Sequence, residues 1–286
     1  MVRTRARVSG ALELRGARLA WGERTYLMGI VNVTPDSFSG DGVERGGDAT
    51  RYALSQWDLG ADLLDFGGES TRPGHVKVAQ DVEVARVVPV IEAVRRARSG
   101  ALISIDTYKP EVARAAHAAG ADLINSVWGA PAELLDVAAE LQMPIVAMHN
   151  QNGTQYERPV VDAVLAFLED CATRATARGI ARERVILDPG IGFGKDAEQN
   201  LAVLAQLDRL VALGFPTMIG TSRKSTIGRL TGKDVGDRVY GTVATTALAI
   251  AAGIDVVRVH DVAAAKDSIA VADAIVRGWR PQRWIE

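Results

Sequence analysis

Apolar and polar positions alternate along this chain in a pattern that repeats. Short apolar runs, which read as buried parallel strands, each end on a polar residue and are followed by a longer stretch with apolar residues at helical spacing. Leu27-Met28-Gly29-Ile30-Val31 ends at Asn32, Ala61 to Leu64 ends at Asp65, and Ala101 to Ile105 ends at Asp106. The series continues with Asp122 to Ile124 ending at Asn125, Ile145 to Ala147 ending at Met148 and His149, and Arg184 to Leu187 ending at Asp188. It closes with Pro216 to Gly220, ending near Ser222, and with Val256-Val257, ending at Arg258 and His260. The spacing predicts helices over 47–60, 81–98, 110–119, 131–142, 159–179, 197–213, 238–252 and 262–277.

Alternation of this kind implies a parallel sheet with helical crossovers. Eight strand–helix units in roughly 250 residues is the size of an α/β fold of the (β/α)8 TIM barrel type. A doubly wound open sheet is the alternative, but it concentrates polar groups at one switch point. Here nearly every strand ends in a polar residue, as a barrel with its site at the C-terminal ends of the strands requires. Residues 11–25 alternate around Gly16 and predict an N-terminal β-hairpin, placed as a lid over the bottom of the barrel. No Gly/Ser-rich or Pro-rich linker interrupts the chain, so one domain over 1–286 is expected, with 1–25 as the hairpin extension.

Composition narrows the function. The 286 residues are 48% hydrophobic and 24% charged, an ordinary globular balance. With 33 basic and 35 acidic residues the net charge is -2, and no basic field argues for nucleic acid. The single cysteine, Cys171, excludes an intrachain disulfide and fits a reducing compartment. The basic start, Met1 to Arg7, is not followed by an apolar segment of signal-peptide type. No uninterrupted apolar stretch is long enough to span a bilayer. The expectation is a cytoplasmic protein without nucleic-acid or membrane partners.

The candidate chemistry centres on Asp188-Pro189-Gly190-Ile191-Gly192-Phe193-Gly194-Lys195. A carboxylate stands at a strand end, on a loop whose glycines allow positive φ and close backbone approach. Asp-Pro-Gly alone is ordinary turn chemistry; Phe193 is not, and implies that the loop covers something. Asp106 and Asn125, taken singly, read as a helix cap and a bland strand end. Together with Asp188 they place two carboxylates and an amide around one mouth. That set suits a flat heterocycle with several N–H donors, with Met148 and Phe193 as apolar walls. The same set is also compatible with a divalent metal, although metal sites usually show clustered carboxylates or His pairs. A second, cationic group consists of Ser222-Arg223-Lys224-Ser225 after the seventh strand and Arg258 and His260 at the end of the eighth, where barrels often bind phosphate. If Arg258 and His260 hold a diphosphate, they face the mouth free of acidic partners. Two long polar loops, 32–42 and 67–74, are placed to act as lids.

These motifs resemble those of dihydropteroate synthase, the folate-pathway enzyme that sulfonamides inhibit. The resemblance runs from Met28 to about Arg277. It is carried by Met28 to Ser39, Gly68 to Gly74, Ser104 to Thr107, Asp188 to Lys195, Ser222 to Ser225 and Arg258 to Asp261, in one order. The family condenses a dihydropterin hydroxymethyl diphosphate with 4-aminobenzoate and releases diphosphate. The resemblance implies that Asp106, Asn125, Asp188 and Lys224 hold the pterin, beside Met148, Phe193 and Gly220. It implies that Asn32, Arg258 and His260 hold the diphosphate and its Mg²⁺, with Asn32 the metal-side residue. Asp36, Thr71, Arg72 and Ser225 order the lids and the aminobenzoate, and Lys224, Asp106 and Arg258 lie nearest the chemistry. The family also implies a homodimer. The chain departs from the family in Ser126, where Asp is usual, in Ser39-Gly40-Asp41-Gly42, and in the variant ending Met148 to Thr154. The rival readings are a barrel methyltransferase using a methylated folate, which lacks the Ser-Arg-Lys-Ser and Arg-Val-His groups, and a non-catalytic pterin-binding paralogue.

Overall fold

A hairpin opens the fold in the computed structural model, which describes residues 10–34, 45–69 and 77–280. Its strands β1 (Ala11–Leu14) and β2 (Ala17–Ala20) pair antiparallel with Leu14 opposite Ala17. Arg15 and Gly16 both have positive φ, as the tight hairpin turn demands.

Eight parallel strands follow. They are β3 (Tyr26–Asn32), β4 (Leu63–Gly67), β5 (Leu102–Asp106), β6 (Leu123–Ser126), β7 (Ile145–Met148), β8 (Val185–Asp188), β9 (Met218–Ile219) and β10 (Val256–Val259). Their order in the sheet is β8-β7-β6-β5-β4-β3-β10-β9. A parallel bridge between Leu187 and Thr217 brings β8 to β9 and closes the ring. The helices are α1 (Arg45–Asp58), α2 (Gln80–Ala97), α3 (Pro110–Ala119), α4 (Ala132–Glu140), α5 (Val160–Thr176), α6 (Ala197–Leu204), α7 (Leu207–Val211), α8 (Ser225–Thr231), α9 (Val239–Ala252) and α10 (Val262–Val276). The expected (β/α)8 barrel is the observed one.

Side-chain alternation along the strands separates two cores. One face of each strand, with Leu64, Ile103, Ile105, Ile124 and Leu187 among its residues, packs against the helices. The other face fills the barrel: Tyr26, Met28, Leu63, Leu102, Leu123, Val146, Ile186, Met218 and Val256 form an apolar plug. Leu12, Leu19 and Trp21 of the hairpin segment pack onto that plug, and Trp21 Nε1 donates to the Glu183 carbonyl at 3.0 Å. The hairpin therefore seals the N-terminal end, as its sequence suggests. Each fully buried aliphatic side chain in the plug stabilises by roughly 1.5–3 kcal/mol.

Two steps beyond the plug, the same faces turn polar. From Leu63, Leu102 and Leu123 the inward positions run to Asp65, Ser104 and Asn125, and β5 goes on to Asp106; all four are buried.

The predicted helix 197–213 is two helices. A capping box at Asp196 and Gln199 starts α6, and the backbone leaves helical geometry at Gln206. Leu207, Leu210 and Val211 still face inward across the break, so apolar periodicity does not reveal it. An extra short helix, α8, lies between β9 and α9 and begins one residue after Lys224.

Candidate active site

The mouth is built from strand ends. Asp65, on β4, lies fully buried between two other site residues. Its Oδ2 accepts from Asn125 Nδ2 at 2.9 Å and from Arg258 Nε at 2.6 Å. The second arm of Arg258 donates from Nη2 to Asp106 Oδ2 at 2.8 Å. Four neighbouring acceptors on β4, β5 and β6 have no protein partner: Asp65 Oδ1, Ser104 Oγ, Asp106 Oδ1 and Asn125 Oδ1. Buried polar atoms are usually paired, so this concentration describes a surface made to receive donors.

On the opposite side of the barrel, Asp188 ends β8. Its Oδ1 accepts from the Gly190 amide at 2.7 Å. Gly190 has φ +67°, and a side chain there would meet the His149 carbonyl oxygen at 1.9 Å, so glycine is obligatory. Burial pushes the Asp106 carboxyl up to about 7, with Arg258 opposing and Asp65 reinforcing the shift. Burial also pushes Asp188 up to about 6, against the stabilising Gly190 amide and the Lys224 charge. Ligand donors aimed at these oxygens would favour the ionised forms.

Met148 ends β7 and is buried. Phe193 carries the Lys224 ammonium over its ring at 4.0 Å. The aromatic in the glycine loop thus positions a cation. Gly220 stands one residue beyond β9 and beside Arg258, whose Cβ and carbonyl oxygen lie 3.9 Å from where a Cβ would be. Asn32 is half-buried at the end of β3, opposite Gly67. Ser225 is exposed at the start of α8. Asp36, Thr71 and Arg72 lie outside the described residues.

Three expectations about the cationic group change. Arg223 pairs through two donors with Asp261, two residues past the end of β10, so its charge is already compensated. His260 is held neutral: burial and the nearby Arg258 and Arg223 lower it to about 4. It shares a hydrogen bond with the Ser222 hydroxyl, at 3.0 Å from Nδ1, and offers an anion an N–H rather than a charge. Arg258 is not free of acidic partners, because it bridges Asp65 and Asp106. It is a strut within the acid cluster, not a cation free for an anion at the mouth.

Sequence reasoning noted Asp65 as a strand end without assigning it a role. The signal was present, a carboxylate on the inward face of a strand in the same register as Ser104. The sequence likewise marks His149 only as a strand end and Lys195 only as a loop end. They meet behind the glycine loop, with Lys195 Nζ 2.9 Å from His149 Nδ1. Ser126 faces the helical layer on the same side of β6 as Ile124, fully buried, with its hydroxyl unpartnered.

Comparison with known proteins agrees with this geometry. The model of the family described as pterin binding enzyme matches residues 28–260. The dihydropteroate synthase of Clostridium beijerinckii is 46% identical over 260 residues, covering 90% of this chain and 96% of that protein. The Xanthomonas albilineans dihydropteroate synthase with 4-aminobenzoic acid is 44% identical and superposes with a TM-score of 0.88, over 93% of this chain and 98% of that one. The same enzyme in complex with 7,8-dihydropteroate gives a TM-score of 0.85 at 42% identity, again over 93% and 98%. The chain belongs to the pterin binding enzyme family and, within it, to the dihydropteroate synthases.

Proposed function

We infer that the chain condenses 6-hydroxymethyl-7,8-dihydropterin diphosphate with 4-aminobenzoate, giving 7,8-dihydropteroate and diphosphate. The observation that carries this reading is the cluster of unpartnered buried acceptors on β4, β5 and β6 at the barrel mouth, with the Lys224 ammonium acting on Asp106 and Asp188. A pterin edge presents an amino group and ring N–H donors next to a carbonyl. Asp188 accepts from the donors and Lys224 donates to the carbonyl. Asn125 and Asp106 accept on the other edge, and Met148 and Phe193 cover the ring faces. Arg258, paired with Asp65 and Asp106, holds Asp106 in place, and the diphosphate falls to His260 and Asn32. Thr71, Arg72 and Ser225 are the candidates for the aminobenzoate.

In the reaction the aniline nitrogen bonds to the pterin methylene carbon, the carbon–oxygen bond to diphosphate breaks, and the nitrogen loses a proton. The residues need only orient the two substrates and stabilise charge on the leaving group and the methylene carbon. No strong general base is required.

Magnesium fits as an ion carried by the substrate. Among the described residues no three His, Cys, Asp or Glu side chains are grouped to hold a metal. Asn32 offers one neutral oxygen, which suits an ion that keeps most of its water and is held mainly by phosphate. When bound, Mg²⁺ supplies charge neutralisation at the diphosphate.

Two further readings accompany this one. A 4-aminobenzoate site makes the chain a sulfonamide target of the cytoplasm. Tyr240 and Leu248 on α9 and Val271 and Ile275 on α10 are 62–85% exposed. The helices α9 and α10 pack together, and we assign their shared apolar face to a homodimer. No helix of the described residues is long and apolar enough to cross a membrane.

The test is diphosphate release with both substrates and Mg²⁺. Release that depends on both substrates is expected. Pterin binding without release would instead identify a paralogue that only binds.

A further inference from the structure

Behind the glycine loop lies a buried lysine that touches no proposed substrate position. Lys195 is 7% exposed. An ammonium has three donors and no acceptor, and this one uses all three on neutral partners. They are His149 Nδ1 at 2.9 Å and the carbonyl oxygens of Gly190 and Phe193, both at 3.0 Å. Burial lowers the lysine to about 7, although Asp188 opposes the shift. A charged group buried among neutral acceptors is a poor device for stability alone.

Its two carbonyl partners are the ends of one turn, because the Phe193 amide also donates to Gly190 at 3.1 Å. Gly190 in turn fixes Asp188 through its amide. Phe193 carries the Lys224 ammonium on its ring. His149 is an equally firm anchor. Its Nδ1 accepts from the lysine, so its ring proton is on Nε2, and burial followed by the Lys195 charge lowers it to about 3. The ring lies between Tyr156, stacked at 6.1 Å, and Phe167, edge-on at 5.0 Å. Tyr156 donates to the Gly194 carbonyl at 2.7 Å and ties down the far side of the loop.

We propose that Lys195, anchored on His149, is a positioning residue for pterin recognition: it fastens both ends of the Gly190–Phe193 turn and so sets the Asp188 carboxylate and the Phe193–Lys224 pair. The proposal rests on the reading of Asp188 as a pterin acceptor.

The experiment is a double-mutant cycle on binding of the dihydropterin diphosphate, measured by calorimetry in wild type, Lys195→Met, Asp188→Ala and the double variant. Lys195→Met removes the donors at similar length. It is expected to weaken binding about tenfold or more, as the loss of buried hydrogen bonds to an acceptor-holding turn would. In the Asp188→Ala background the same change should cost clearly less, because the part that acts through Asp188 is already gone and only the part that acts through the Phe193–Lys224 pair remains. Lys195→Gln, an uncharged donor, should recover part of the loss, and the unliganded Lys195→Met protein should melt no lower than wild type. Wild-type affinity in Lys195→Met, or losses that add in full, overturns the proposal. So does failure of both Lys195 variants to fold, which would make the lysine a requirement of the fold. Unchanged binding in Asp188→Ala alone is a separate result that removes the pterin reading itself.

Discussion

The Asp106→Asn variant offers a direct measure of what burying the Asp106 carboxyl costs the fold. Asp106 is buried, faces the second carboxylate Asp65 across Arg258, and is pushed up to about 7 from an ordinary 3.8. The folded chain therefore holds a proton at this site between about pH 4 and pH 7 that the unfolded chain has released. Stability depends on pH through the difference in bound protons. A raised acid binds more protons in the folded state, so its contribution is full below the unfolded value and is lost as pH rises through about 7. From pH 5 to pH 8 this single group should remove about 2–3 kcal/mol, taking 1.36 kcal/mol per unit over the part of the interval in which it is protonated. Asparagine has the same shape and does not titrate. Other groups shift as well, Lys195 in the opposite sense, but they are common to both proteins and nearly cancel in the comparison. Urea unfolding of wild type and Asp106→Asn at four pH values between 5 and 8 gives the difference directly. The variant should gain about 2–3 kcal/mol relative to wild type across that range. A difference that stays flat would mean that Asp106 is ionised throughout, and the account of Asp106 as an acid raised by burial would fail.

Asp188→Ala and Asp106→Ala should each weaken pterin binding by about 1–3 kcal/mol, the cost of leaving a ligand donor unpaired; calorimetry showing native affinity in both would refute the assignment. Ser126→Ala should leave the unfolding midpoint unchanged or raise it slightly, because the buried hydroxyl has no partner to lose, and a loss above about 1 kcal/mol would contradict the burial described here. Val271→Asp, on the exposed face of α10, should convert a dimer to a monomer in light scattering while circular dichroism stays native; an unchanged mass rules out that face.

The barrel was readable from the sequence because two periodicities coexist in it. Apolar runs such as Ile103 to Ile105 mark strands buried on both sides, and the residue at each strand end marks the mouth. Asp106, Asn125 and Asp188 could be placed from that rule alone. Pairing could not. The assignment of Arg258 to the Asp65–Asp106 pair brings together residues 193 and 152 positions apart in sequence, and no local pattern records it. The neutral state of His260 depends on burial and on cations from two loops, which composition does not register. The split of 197–213 was hidden for the opposite reason, since Leu207 and Leu210 keep the helical phase across it.

Among the described residues, the hairpin and the apolar plug leave this barrel a single door. Everything that enters or leaves crosses the same rim, and the acceptors proposed for the pterin sit next to the plug, deeper than the exposed Ser225. A molecule bound at the rim blocks the path of one bound at the floor. On the proposed placement, the pterin diphosphate would enter before the aminobenzoate, and an aminobenzoate mimic that arrives first would bar its way.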